Sequence, residues 1–186
     1  MGSQSVRAVL RVLALCLATG CGNPGSPTVS ALSLPDDTPD LALQGVALAR
    51  LSDGQIVARA TAERLDYRRA GGRVVASRGA GIVYPEPGSS LAQYGTIRFL
   101  ARDAEGEVLN RRGSATGNVR VDTMRGDTAL TERIDYEGDY LRSSVPVAAS
   151  GPGYQVDANG LSARTDGTAI RLTNGVKGRL RMEAGR

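Results

Sequence analysis

The sequence contains no His and no Trp, a single Phe (Phe99), a single Lys (Lys177) and two Cys among its 186 residues, and aromatic residues make up 4% of it. Each scarcity excludes a class of chemistry. Without His there is no Ser-His-Asp triad, no Cys-His dyad and no His-ligated zinc. Two Cys are too few for a Cys-rich metal site or a disulfide framework. Catalysis would rest on carboxylates, Tyr, Lys or Ser alone. Aromatic interleaving suited to stacking nucleic-acid bases is missing, and no Gly-rich phosphate loop opens a helix. What is abundant is Gly, 24 residues, with 8 Pro, a composition that leans toward strands and turns. The length suits one domain.

Residues 1–20 read as a sorting signal. Arg7 and Arg11 precede a short apolar run, Val12 to Ala18, which ends in the small residues Thr19-Gly20 and then Cys21. A membrane span needs about 20 apolar residues, and this run is shorter. Leu17-Ala18-Thr19-Gly20-Cys21 resembles a bacterial lipobox, in which a diacylglycerol is attached to the Cys thiol before the signal is cut away. Lipidation of Cys21 and loss of Cys16 would leave the mature chain without a free thiol. Net charge would fall from +4 to +2 as Arg7 and Arg11 leave. The remaining Arg are interleaved with Asp and Glu, which points to a mixed-charge solvated surface and no nucleic-acid partner. Residues 21–40 carry Pro24, Pro27, Pro35 and Pro39 and read as a lipidated tether, extending roughly 3 Å per residue.

Residues 41–186 read as the folded domain. Their dominant period is two. Ile97 and Phe99 alternate with Arg98, Val119 and Val121 with Arg120, Val156 with Gln155 and Asp157, Ile170 and Leu172 with Arg171. Leu130, Ile134 and Tyr136 share a parity, and Val145 and Val147 form a further apolar pair. Successive strand side chains point to opposite faces, so each run has one oily and one wet face. Turn signals recur at Ser52-Asp53-Gly54, Ala70-Gly71-Gly72, Asp103 to Gly106, Arg125-Gly126-Asp127, Glu137-Gly138-Asp139, Asn159-Gly160, Asp166-Gly167 and Asn174-Gly175. The segment Ala58–Tyr67 has helix-friendly composition, but flanking glycines and Ile56, Ala58 and Ala60 at strand spacing favour a strand. The fold class expected is all-β, an antiparallel sheet closed as a sandwich, barrel or folded sheet. An internal echo supports a repeated hairpin unit: Ala62-Glu63-Arg64-Leu65-Asp66-Tyr67 returns as Thr131-Glu132-Arg133-Ile134-Asp135-Tyr136.

Several stretches taken in order resemble the LptC/LptA (OstA-like) family of lipopolysaccharide transport proteins. They are Pro39-Asp40 with Gln44-Gly45-Val46, then Asp53-Gly54, Ala60 and Tyr67; Gly117-Asn118-Val119-Arg120-Val121; Thr131-Glu132-x-Ile134-x-Tyr136 with Ser143-Ser144-Val145-Pro146-Val147 and Gly160-Leu161; and Asn174-Gly175-Val176-x-Gly178. The resemblance covers roughly residues 39–182. It implies a V-shaped β-jelly roll whose oily groove holds lipid A acyl chains, without a cofactor. The groove residues it implies are Ile97, Phe99, Val119, Val121, Leu130, Ile134, Tyr136, Val145, Val147, Val156, Ile170 and Leu172. It also implies that edge strands add to those of neighbouring proteins, here through Val176, Leu180 and Met182. The implied partners are lipopolysaccharide, an LptA-like bridge protein and an LptBFG-type ABC transporter, in the periplasm of a Gram-negative envelope. The chain departs from LptC in having a lipobox where a transmembrane helix is usual, which leaves the anchoring membrane open. Lys177, Arg179 and Arg181 on the last strand fit a solvated face or lipid phosphates.

Two other readings use the same residues. An envelope scaffold lipoprotein would fill the apolar face as a closed core, because a groove and a core share one period. An enzyme would need paired carboxylates, but Glu63 and Asp66, like Glu132 and Asp135, have opposite strand parity and do not share a face. Pairing with Arg64 and Arg133 is the expectation for them.

Overall fold

The computed structural model describes residues 38–181. The signal segment, Cys21, nearly all of the tether and Met182 lie outside the described residues. The all-β antiparallel class is what the chain forms. Twelve strands make one sheet: β1 Leu41–Ser52, β2 Gln55–Arg68, β3 Arg73–Val83, β4 Ile97–Glu107, β5 Arg112–Thr123, β6 Thr128–Glu137, β7 Tyr140–Ser143, β8 Val147–Gly151, β9 Tyr154–Ala158, β10 Gly160–Arg164, β11 Ile170–Thr173 and β12 Lys177–Leu180. The Ala58–Tyr67 segment lies within β2, as a strand.

The sheet is a meander. β6 pairs with β8 through Thr128–Thr131 and with β7 through Asp135–Glu137. β10 pairs with β7 and β11, while β9 pairs with β8 and β12. The pairs β7–β8, β9–β10 and β11–β12 are therefore single passes broken midway, and the chain crosses the sheet nine times.

The breaks align. In the β1–β2 ladder Gly45 (φ 61°) interrupts pairing beside Glu63; in β3 the interruption is at Arg78 (φ 49°); in β5 it is at Gly117 and Asn118 (φ 76° and 56°); in the last pass it is at Asn174 and Gly175 (φ 64° and 77°). Left-handed residues that interrupt a ladder bend the strand, as does the one extra residue of β5, where Gly117 and Asn118 oppose Glu132 alone. Repeated in register, they form a crease across the whole sheet and divide it into two arms. Arm A holds the ends of the passes around Val46–Ser52, Ile97–Ala101 and β8, β9 and β12. Arm B holds those around Leu41–Gln44, Asp103–Glu107 and β7, β10 and β11. The result is the folded, V-shaped sheet.

Three sequence expectations change here. Asp103 to Gly106 is not a turn: it lies inside β4, and the chain reverses at residues 108–111. Asn159-Gly160 and Asn174-Gly175 are not hairpin turns either. Each sits on the crease: Asn174 and Gly175 take the left-handed backbone a tight turn would need, and Gly160 leaves room for Thr173 Oγ1, which a Cβ there would meet at 2.6 Å.

The echoed hexapeptides are the two places where β2 and β6 cross the crease. Glu63 Oε2 pairs with Arg78 Nη1 at 2.6 Å, and Glu132 Oε2 accepts from Asn118 N at 3.3 Å. Each Glu thus holds the left-handed residue of the neighbouring strand. Arg64 pairs with Asp66 and Arg133 with Asp135 two residues on, along one face of the strand. The expected Arg partners hold for the aspartates; the glutamates are occupied at the crease.

Candidate functional site

The registers place the apolar side chains on one face of both arms. In arm A an unbroken row runs across all nine passes: Leu48, Ala60, Gly81, Phe99, Val121, Ala129, Ala149, Val156 and Gly178. In arm B the corresponding row is Leu41, Tyr67, Val74, Gly106, Gly113, Tyr136, Leu141, Ala163 and Ile170. The opposite face is polar: Arg59, Arg98, Asp122, Thr128, Ser150, Gln155 and Arg179 occupy one arm A ladder. Arg120 and Arg164 pair there with Asp122 and Asp166 two residues on.

Among the described residues, buried side chains are confined to the crease. Val119, Thr131, Val147 and Ala158 are register partners across β5, β6, β8 and β9, and all are buried, as is Ser143 at the end of β7. Thr131 Oγ1 donates to Pro146 O at 2.9 Å, Ser143 Oγ to Val145 O at 3.1 Å, and no buried side-chain polar atom among the described residues lacks a partner. Away from the crease the apolar face is poorly filled. Among the described residues no large side chain is fully buried. The floor is made of small residues, so the ring of Phe99 lies over Gly81 and that of Tyr154 over Gly151. At the two sheet edges the same face is open: Leu48 is 54% exposed and Leu180 80%. In arm B, Val74, Ala76, Ala104, Gly106 and Tyr136 line a hollow of about 360 Å³ with Arg111 at its rim. Arg111 pairs there with Asp139 at 3.0 Å and reaches Tyr136 Oη at 3.5 Å.

Most residues picked from the sequence fall on this face. Ile97, Phe99, Val119, Val121, Val147 and Val156 lie on it in arm A; Ile134, Tyr136, Ile170 and Leu172 lie on it in arm B. Leu130 does not. It stands between Arg120 and Ala148 on the polar face, 45% exposed. At the crease Glu132 and Arg133 are both exposed and the alternation breaks, so Leu130 and Ile134 share a sequence parity but not a face. Val145 sits in the crease between β7 and β8, half-buried, its N–H 3.4 Å from Ser143 Oγ. Leu180 lies in the edge strand, whereas Val176 sits in the break between β11 and β12. The small floor residues Ala60, Gly81, Ala129 and Ala149 escape a search for large apolar side chains; their signal is alternation itself.

At the mouth of arm A, Tyr154 Oη donates to Asp127 Oδ1 at 3.0 Å, and Asp127 also accepts from Thr123 Oγ1 at 3.0 Å. Burial and then this carboxylate raise the Tyr154 phenol above its ordinary range, with Tyr94 adding to the effect. Asp122, on the outer face, is held below its ordinary range, first by its bond from Arg120 and also by Thr128. Among the described residues no group of three or more His, Cys, Asp or Glu is placed to hold a metal ion, and no helix is long and apolar enough to cross a membrane. The arrangement can hold an elongated apolar guest along the crease, with charge kept outside. A comparison with protein-family models and with curated proteins finds no match for the chain.

Proposed function

We propose that the chain is a non-catalytic carrier of an acylated lipid, and that the guest's hydrocarbon lies in the trough between the arms. The carrying observation is the unfilled apolar face: no large side chain is fully buried among the described residues, while the apolar rows extend to both sheet edges. A closed core of this area would bury several large side chains. Acyl burial contributes about 0.8 kcal/mol per CH₂, so a smooth floor of Ala, Gly and Val binds strongly without specific polar contacts. The motif order of the sequence favours lipopolysaccharide, with lipid A chains inside and sugars and phosphates outside. On this reading the open backbone edges of β1 and of β11–β12 join an LptA-like bridge protein and an LptBFG-type transporter by strand addition. The lipobox at Cys21 makes it a periplasmic, membrane-anchored lipoprotein.

Photocrosslinking tests this. Probes at Val121, Ile134 and Val147 face the trough, and probes at Leu130 and Ala148 face away. The trough probes should capture lipopolysaccharide and the outward ones should not. Equal capture from both faces, or none from either, sinks the carrier reading and leaves the envelope scaffold.

A further inference from the structure

The connections between passes are short, except one. β1 and β2 are joined by residues 53–54, β5 and β6 by residues 124–127, and β8 and β9 by residues 152–153; residues 84–96 join β3 to β4. A connection this long inside a small sheet domain is uncommon and tends to have a use of its own. It leaves and rejoins the mouth of arm A. Tyr84 N donates to Val57 O at 2.9 Å, Met124 N to Thr96 O at 3.0 Å, and Arg125 Nη1 to Gln93 O at 3.4 Å. Pro85 and Pro87 stiffen its first half, and a 3-10 turn, Ser90–Tyr94, forms its tip.

That tip reaches the other arm. Leu91 lies against Gly167 in the β10–β11 turn, at the mouth of arm B; a Cβ at Gly167 would overlap the Leu91 side chain and stand 3.5 Å from Leu91 N. Gly167 has φ 76°, so the turn supplies a flat, side-chain-free seat at this point. The seat is firm: Asp166 Oδ1 accepts from Thr168 N at 3.0 Å and Thr168 Oγ1 at 2.6 Å, and Asp166 pairs with Arg164 at 3.0 Å. The hydrogen bonds of the connection run to arm A, while its hold on arm B is an apolar contact that can open without breaking any of them.

We propose that residues 84–96 form a latch across the mouth of the folded sheet, seated by Leu91 on Gly167, which must lift before a lipid enters or leaves the trough sideways. This rests on the carrier reading. The latch thus spans the mouth from the β3–β4 end of arm A to the β10–β11 turn of arm B.

The test uses the full chain with Cys16 and Cys21 changed to Ser, and reads the exchange rate of a trough-bound fluorescent C18 fatty acid against unlabelled competitor. Leu91→Ser should speed exchange about tenfold, the scale set by one half-buried leucine side chain. Leu91→Cys with Gly167→Cys, oxidised, should slow exchange by a similar factor relative to the same protein reduced. If the fatty acid binds but neither variant changes its rate, the latch is overturned and the carrier reading stands. If the fatty acid is bound by no form, both are overturned. Should the cysteine pair fail to oxidise, the Leu91→Ser rate decides alone.

Discussion

Thr131 Oγ1 and Ser143 Oγ lie 3.2 Å apart, both buried, at the point where arm A and arm B separate. Thr131 belongs to the last arm A row of β6 and Ser143 ends β7 in arm B, so this pair of hydroxyls ties the two arms at the fork. Thr131→Val removes the donor to Pro146 O, at a cost of about 0.5–1.5 kcal/mol. Ser143→Ala should cost a similar amount. Because the two share one network, the double variant should lose less than the sum of the singles. Urea unfolding of the four proteins measures it.

The crease also makes a prediction about backbone. Asn118 at φ 56° and Arg78 at φ 49° occupy left-handed positions that β-branched residues tolerate badly. Asn118→Val should destabilise by about 1–2 kcal/mol, while Asn118→Gly stays within about 0.5 kcal/mol of the parent. Arg78→Gly should likewise be close to neutral. The strain it relieves offsets the Glu63 ion pair it loses, and an exposed pair contributes about 0–1 kcal/mol. Equal losses for Val and Gly at position 118 in urea unfolding would show that the left-handed backbone is not what the position selects.

These two sites show how far the sequence is legible. The strands of both arms are plain in the alternation, because each arm has one oily and one solvated face. The echo of Ala62–Tyr67 in Thr131–Tyr136 is a true structural repeat, and what it encodes is passage across the crease. The crease itself is hidden. Its left-handed residues Asn174-Gly175 carry the same chemistry as a hairpin turn, and Asn159-Gly160 reads as one although neither residue is left-handed. Arg78 has no propensity for its conformation at all. Because Glu132 and Arg133 are both exposed at the crease, counting parity through them puts Leu130 on the wrong face. The latch contact was equally out of reach, since Leu91 and Gly167 are far apart in sequence and neither belongs to a periodic run.

Asp122 makes acid stability specific. Its carboxylate accepts from Arg120 Nε at 2.7 Å and from Thr128 Oγ1 at 2.8 Å, which hold its pKa below the ordinary aspartate range. A carboxylate held low in the folded state contributes stability above its unfolded pKa and loses it as pH falls through the folded value. Wild type should therefore lose its advantage over Asp122→Asn as pH falls through and below the ordinary aspartate range. Thr128→Val should move the Asp122 carboxyl upward in an NMR titration. A titration at the ordinary value in wild type would refute the assignment.

The last prediction separates a trough from a core. Ala129 and Ala149 are register partners in the middle row of arm A, and both are half-buried with small side chains. In a closed core, adding the bulk of Phe at either position would overpack it and cost about 1–3 kcal/mol. In an open trough the new ring enters vacant space and covers apolar neighbours, so stability should hold or rise. The guest then loses what the ring occupies. Displacing two or three CH₂ groups, at about 0.8 kcal/mol each, should weaken fatty-acid binding roughly tenfold to fiftyfold. Ala149→Phe with unchanged unfolding and weakened binding fits the trough; lower stability with unchanged binding would identify the apolar face as a core.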